Sequence, residues 1–187
     1  MYKFCKTEQS FQRQRELEEG LLNAMAHQRF EEISVSDLCD RMGIPRKSFY
    51  RYFSSKDGAL HALMDHTLME FYDTGSFEGL RGGTPIGDLE RFFQFWKQHK
   101  LLLDAVLRSN LGGMLVERAV SLAKQEELMP GYVREWEDMM KDVAMSFVVC
   151  GLMSMVLQWH KEGYRIQTEQ MAKTAVAMLS RPLIPNM

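Results

Sequence analysis

Helical period runs through this chain almost from end to end. Apolar residues recur three and four positions apart, and no stretch alternates apolar with polar convincingly enough for a strand. The five prolines, Pro45, Pro85, Pro130, Pro182 and Pro185, fall at joints between such segments rather than inside them. Together these facts predict an all-α fold. At 187 residues and 45% hydrophobic content, the chain is long and apolar enough for a real core, as one domain or as a small module fused to a larger one.

The joints set the expected order of helices. A first helix is predicted from about Glu8 to about Gln28, with Leu17, Leu21 and Met25 on its inner face and Glu16, Glu18 and Glu19 offset from it. Phe30 and Ile33 continue the core through a short connection. A second helix opens at Ser34, where Asp37 three residues on resembles a capping box, and stops at Gly43. Pro45 starts a third helix at the one position where a missing amide costs nothing. Two helices joined by so tight a glycine turn form a helix-turn-helix. Phe49 and Phe53, four apart, should then face inward and turn Arg46, Lys47, Tyr50 and Arg51 outward. A fourth helix is capped by Ser54-Ser55-Lys56. Residues 73–87, rich in glycine, read as a loop. Further helices follow over 88–99, 100–110, 112–129, 132–162 and 168–180.

Arg41, Arg46, Lys47, Arg51 and Lys56 fall after Asp40 and before Asp57 with no acid among them, in a chain whose formal charge is −2. Lysine and arginine that meet phosphates release counterions, and a helix fits the major groove, where each base pair shows a distinct pattern of donors and acceptors. Arg46 and Lys47 occupy the first turn of the third helix, the part that reaches base edges, and Ser48 and Tyr50 can bond phosphates or bases. Lys56 would add its charge beside a phosphate at the start of the fourth helix. The alternative is a solvated basic face on a helical domain.

The stretch SVSDLCDRMGIPRKSFYRYFSSKDGAL resembles the DNA-binding region of the tetracycline-repressor (TetR) family of bacterial regulators. The matching features are the capped second helix, Gly43-Ile44, the aromatic group Phe49-Tyr50-x-Tyr52-Phe53, and Ser55-Lys56 ahead of Leu60. The resemblance covers roughly residues 10 to 68. It implies an N-terminal three-helix DNA-binding domain over 1–55 and a C-terminal helical dimerisation and effector-binding domain over 56–187. It also implies a homodimeric repressor acting on a palindromic double-stranded operator and released by a small molecule. Its implied DNA contacts fall on Ser34, Ser36, Arg46, Lys47, Ser48, Tyr50, Arg51 and Lys56. The chain departs from the family pattern at Pro45, where a small hydroxyl residue is common, at Arg29, where glycine is common, and at Gly58, where an acid is frequent.

For the remainder, the uncharged run Val143 to Trp159 and the last helix are the candidate dimer surface, with Gly151, Leu152, Met155, Trp159, Met171, Ala175 and Met178 as its contacts. The run is short of the roughly 20 residues that span a bilayer, and a helix buried on nearly all sides inside a protein or a dimer is expected instead. Phe92, Phe95, Trp96, Trp136, Met139, Met140 and Phe147 are the candidate effector contacts, and fifteen methionines suit an adaptable apolar site. Cys5, Cys39 and Cys150 lack metal-ligand spacing and fit a reduced, cytoplasmic setting. The first residues lack the apolar region of a signal peptide. His61 and His66 do not share a helix face, and no metal site or cofactor is expected. No nucleophile or acid/base constellation suggests an enzyme. A helical enzyme with an aromatic pocket, or a helix-turn-helix protein acting through a protein partner, are the rival readings.

Overall fold

The computed structural model describes the chain except residues 1, 4, 74–84, 126–136 and 181–187. Among the described residues it is helical throughout: α1 (Glu8–Met25), a 3-10 turn (Phe30–Glu32), α2 (Val35–Arg41), α3 (Arg46–Tyr50), α4 (Lys56–Asp73), α5 (Pro85–Gln98), α6 (Lys100–Arg108), α7 (Gly112–Gln125), α8 (Asp138–Lys161) and α9 (Thr168–Ser180). Two compact units result. The first comprises 1–67 and 104–111, the second 68–103 and 112–187.

In the first unit, Leu17, Leu21, Ala24 and Met25 of α1 are buried with Leu38 and Cys39 of α2, Phe49 of α3, and Ala59, Leu60, Leu63 and Met64 of α4. α1 ends at Met25, earlier than periodicity suggests. The His27 amide reaches back only three residues to Ala24, and the chain then extends at Arg29, whose amide the Glu32 carboxylate accepts. Phe30 and Ile33 are buried as expected, and the Phe30 amide donates to the Ser109 hydroxyl at 2.9 Å. Glu18 departs from expectation. It is fully buried rather than solvated, because Arg15 donates to it at 2.9 Å and His66 lies against it at 2.9 Å. A buried carboxylate needs such partners to offset its lost hydration.

In the second unit, α5 packs on α9 and α7 packs on α8. Phe71, Phe92, Phe95 and Trp96 form a continuous aromatic cluster, with ring centroids 5.1 to 6.5 Å apart. Phe93 meets Trp159 edge-on at 5.8 Å, and the Trp159 indole donates to the Ile166 carbonyl at 2.8 Å. Such tilted and edge-on pairs suit the ring quadrupoles.

α8 is long and apolar enough to cross a membrane, yet it is buried along one side only, through Met145, Leu152, Met153, Val156 and Trp159. Within one subunit, burial is therefore confined to that side. On its other side Val143 (62% exposed), Phe147 (65%), Cys150, Gly151 and Ser154 recur at three- and four-residue steps and remain open. Met178 and Leu179 of α9 are exposed as well.

Candidate nucleic-acid interface

The α2–turn–α3 unit is built by local chemistry. Ser34 has extended backbone, and its hydroxyl oxygen accepts from the Asp37 amide at 3.0 Å, which caps α2. The same hydroxyl donates to the Asp37 carboxylate at 2.7 Å, so the reciprocal arm of a capping box is replaced by a side-chain bond. α2 ends in a Schellman motif. Gly43 takes φ +63°, its amide donates to the Asp40 carbonyl, and the Ile44 amide donates to the Cys39 carbonyl at 3.0 Å. Pro45 then caps α3 with φ −65°.

α3 is only five residues long, so it needs anchoring side chains. Phe49 and Phe53 supply them: both are buried, with centroids 5.1 Å apart. Fixing these two faces fixes the rest. Arg46, Lys47 and Arg51 are exposed, Ser48 is half-buried, and Tyr50 is 50% exposed with its ring edge-on to Phe49. None of the three cations is ion-paired among the described residues. Uncompensated like charges on so short a helix cost stability, which makes them a poor structural device and a good anion-binding edge. The Cys39 thiol beneath them is held above its usual pKa, first by burial and then by Asp40, with Arg46 opposing.

Two other members of the basic group are placed differently. Arg41 reaches Gln28 at 3.4 Å. Lys56 turns inward: its ammonium donates to the carbonyls of Phe30 and Ile33, each at 2.6 Å, and lies within 3.3 Å of the Glu31 carbonyl and 4.3 Å above the Phe30 ring. It closes the 3-10 turn against the start of α4, where Ser55 accepts from the Gly58 amide. The phosphate contact expected of Lys56 would have to compete with these bonds. Ser34 and Ser36 stand in the first turn of α2, Ser34 exposed and Ser36 half-buried.

One element gives no advance signal. Tyr2 forms an antiparallel bridge with Phe53, and the Lys3 amide donates to the Tyr52 carbonyl at 2.9 Å. Two residues of pairing are too few to register as alternation.

The residues expected in the second unit are only partly brought together. Phe92, Phe95 and Trp96 share the aromatic cluster. Met139, Met140 and Phe147 are exposed on α8, and Trp136 lies outside the described residues. The Trp96 indole nitrogen is buried without a hydrogen-bond partner among the described residues. Of the residues expected at a dimer surface, Leu152, Trp159, Met171 and Ala175 are buried in their own unit, so the subunit core already uses them. Met155 is half-buried, while Gly151 and Met178 are exposed.

Residues 20–63 match the family model described as bacterial regulatory proteins, tetR family. No match was found among curated proteins. Among solved structures, the fatty acid degradation regulator FadR from Bacillus halodurans aligns with TM-score 0.58 at 16% identity, over 96% of this chain and 98% of that one. A transcriptional regulator of the TerR/AcrR family from Aquifex aeolicus VF5 aligns with TM-score 0.59 at 15% identity, over 90% and 98%. The dihydroxyacetone kinase operon activator DhaS aligns with TM-score 0.57 at 16% identity, over 90% and 94%. At such identities the likeness is one of fold.

Proposed function

We propose that the chain, whose residues 20–63 match the TetR-family model, is a DNA-binding transcriptional regulator of that family that works as a homodimeric repressor, released from a palindromic operator by a small apolar effector. The observation that carries this reading is the edge of α3: Arg46, Lys47 and Arg51 are exposed and without an acidic partner, on a helix anchored by Phe49 and Phe53. Arg46 and Lys47 read base edges from the first turn, with arginine able to bond guanine twice. Arg51, Tyr50 and the serines at the start of α2 hold the phosphates.

One such short helix reads a short half-site, so twofold pairing is needed to give a useful operator. The open stripe Val143, Phe147, Cys150, Gly151 and Ser154 suits this role. Its large residues supply apolar area, and its small ones allow two helices to approach closely. An effector housed near Phe92, Phe95 and Trp96 would present one acceptor to the unpaired Trp96 N–H. It releases DNA only by favouring a different separation of the two reading heads. The protein acts where its DNA is, in the cytoplasm.

Sedimentation of the chain with an operator duplex, followed by in vitro transcription across that operator, tests the reading. Two subunits per duplex and reduced transcript are expected. A single subunit per duplex, or transcript that rises with bound protein, would overturn the dimer or the repressor assignment respectively.

A further inference from the structure

We propose that Lys3 is a further DNA-binding residue, a phosphate contact held beside the end of α3 by the pairing of the segment ahead of α1 with residues 52 and 53. The inference rests on the reading of α3 as the DNA-contacting helix.

The pairing is anchored at two kinds of atom. The backbone bond from the Lys3 amide to the Tyr52 carbonyl is 2.9 Å, and Tyr2 bridges Phe53 in antiparallel sense. The Tyr2 side chain turns inward. Its hydroxyl donates to the Asp65 carboxylate at 2.7 Å, and its ring stands edge-on to His66 at 5.5 Å. Successive side chains of an extended segment point to opposite sides. Inward Tyr2 therefore sends Lys3 outward, and Lys3 is exposed, with no ion pair among the described residues. Its backbone lies against Tyr52, whose preceding residue is the exposed Arg51 that closes α3. Asp65, an acid brought near by this pairing, is occupied by the Tyr2 hydroxyl. The exposed cations Arg46, Lys47 and Arg51 thus continue into Lys3, which arrives from a different part of the chain. A positive edge that outlasts its helix suits a phosphate line better than a single base contact, and lysine acts there as a point charge on a long stem.

The test is binding of the chain to its selected operator duplex, and to a scrambled duplex of equal length, across a salt series. One phosphate contact contributes about 0.9 to the slope of log K against log salt, which is about fivefold in affinity at 0.15 M salt. Lys3→Ala is expected to lower the slope by about 0.9 and to weaken both duplexes by about the same fivefold factor. Lys3→Arg should restore both values. Lys173→Ala, in α9 and paired with Glu169 at 2.6 Å, should change neither. An unchanged slope in Lys3→Ala, with Arg46→Ala still impaired on the operator, would overturn the inference and leave the α3 reading intact. Absence of salt-dependent duplex binding by the unaltered chain would overturn both.

Discussion

Replacing Lys56 by methionine separates two roles that a lysine at this place could have. Methionine keeps most of the apolar stem and removes only the charge. The ammonium satisfies two carbonyls at 2.6 Å and sits 4.3 Å over the Phe30 ring. A charged hydrogen bond in a partly buried site contributes on the order of 1 to 2 kcal/mol, and a cation over an aromatic face about 1 kcal/mol. Allowing for partial exposure, the loss should be about 3 kcal/mol, concentrated where the 3-10 turn meets α4. Tryptophan fluorescence would not register it, because Trp96, Trp136 and Trp159 all lie outside the first unit. Amide hydrogen exchange followed by mass spectrometry would. Peptides covering 30–41 should exchange about a hundredfold faster, since each 1.4 kcal/mol is a factor of ten, while α9 stays unchanged. DNA affinity should fall alike for all sequences, with its salt slope preserved. Unchanged exchange together with a slope reduced by about 0.9 would refute the argument, because the ammonium would then be meeting a phosphate instead of the Phe30 and Ile33 carbonyls.

Further outcomes follow from other parts of the molecule. Gly43→Ala places a side chain at φ +63° with open space around it, so it should cost only the left-handed strain, about 1 to 2 kcal/mol in urea unfolding of the first unit; a loss below 0.3 kcal/mol would mean the turn is not held as described. Ser34→Ala removes the cap of α2 and should cost about 1 kcal/mol by the same measure. Arg46→Ala or Lys47→Ala should relax base preference by roughly 1–3 kcal/mol at one operator position, and footprinting that shows unchanged preference discards the base-reading role. Phe147→Glu puts a charge in the open stripe of α8 and should give a monomer by sedimentation, with Cys150 becoming faster to label with a thiol reagent and buried Cys39 remaining slow. A Phe147→Glu protein that stays dimeric would remove this face from the interface.

Element boundaries were legible in the sequence wherever they depend on local backbone chemistry. Ser34, Gly43 and Pro45 act through their own φ values, hydroxyls or missing amides, and the structure uses each of them at a helix end. The outward face of α3 followed from Phe49 and Phe53 alone, since burying one residue of a five-residue helix and another just past its end leaves few choices. What stayed hidden depends on groups distant in sequence. Glu18 is buried because His66 lies 48 residues away, and Lys56 turns inward because three carbonyls converge 23 to 26 residues earlier. Neither fact has a periodic trace. α8 hid its exposed side for the opposite reason: its composition is apolar all round, so no moment marks which face the subunit buries and which it leaves open. Leu152 and Trp159 therefore looked as available as Gly151, though only the last reaches the surface.

The central claim is that the α3 edge reads duplex DNA in twofold pairs. Selection of bound duplexes from a random pool by the purified chain, repeated with Arg46→Ala, tests it most directly. The account predicts an inverted repeat whose two halves relax at the same symmetric position in the variant. Enrichment of a single asymmetric half-site, or of no sequence at all, would contradict it.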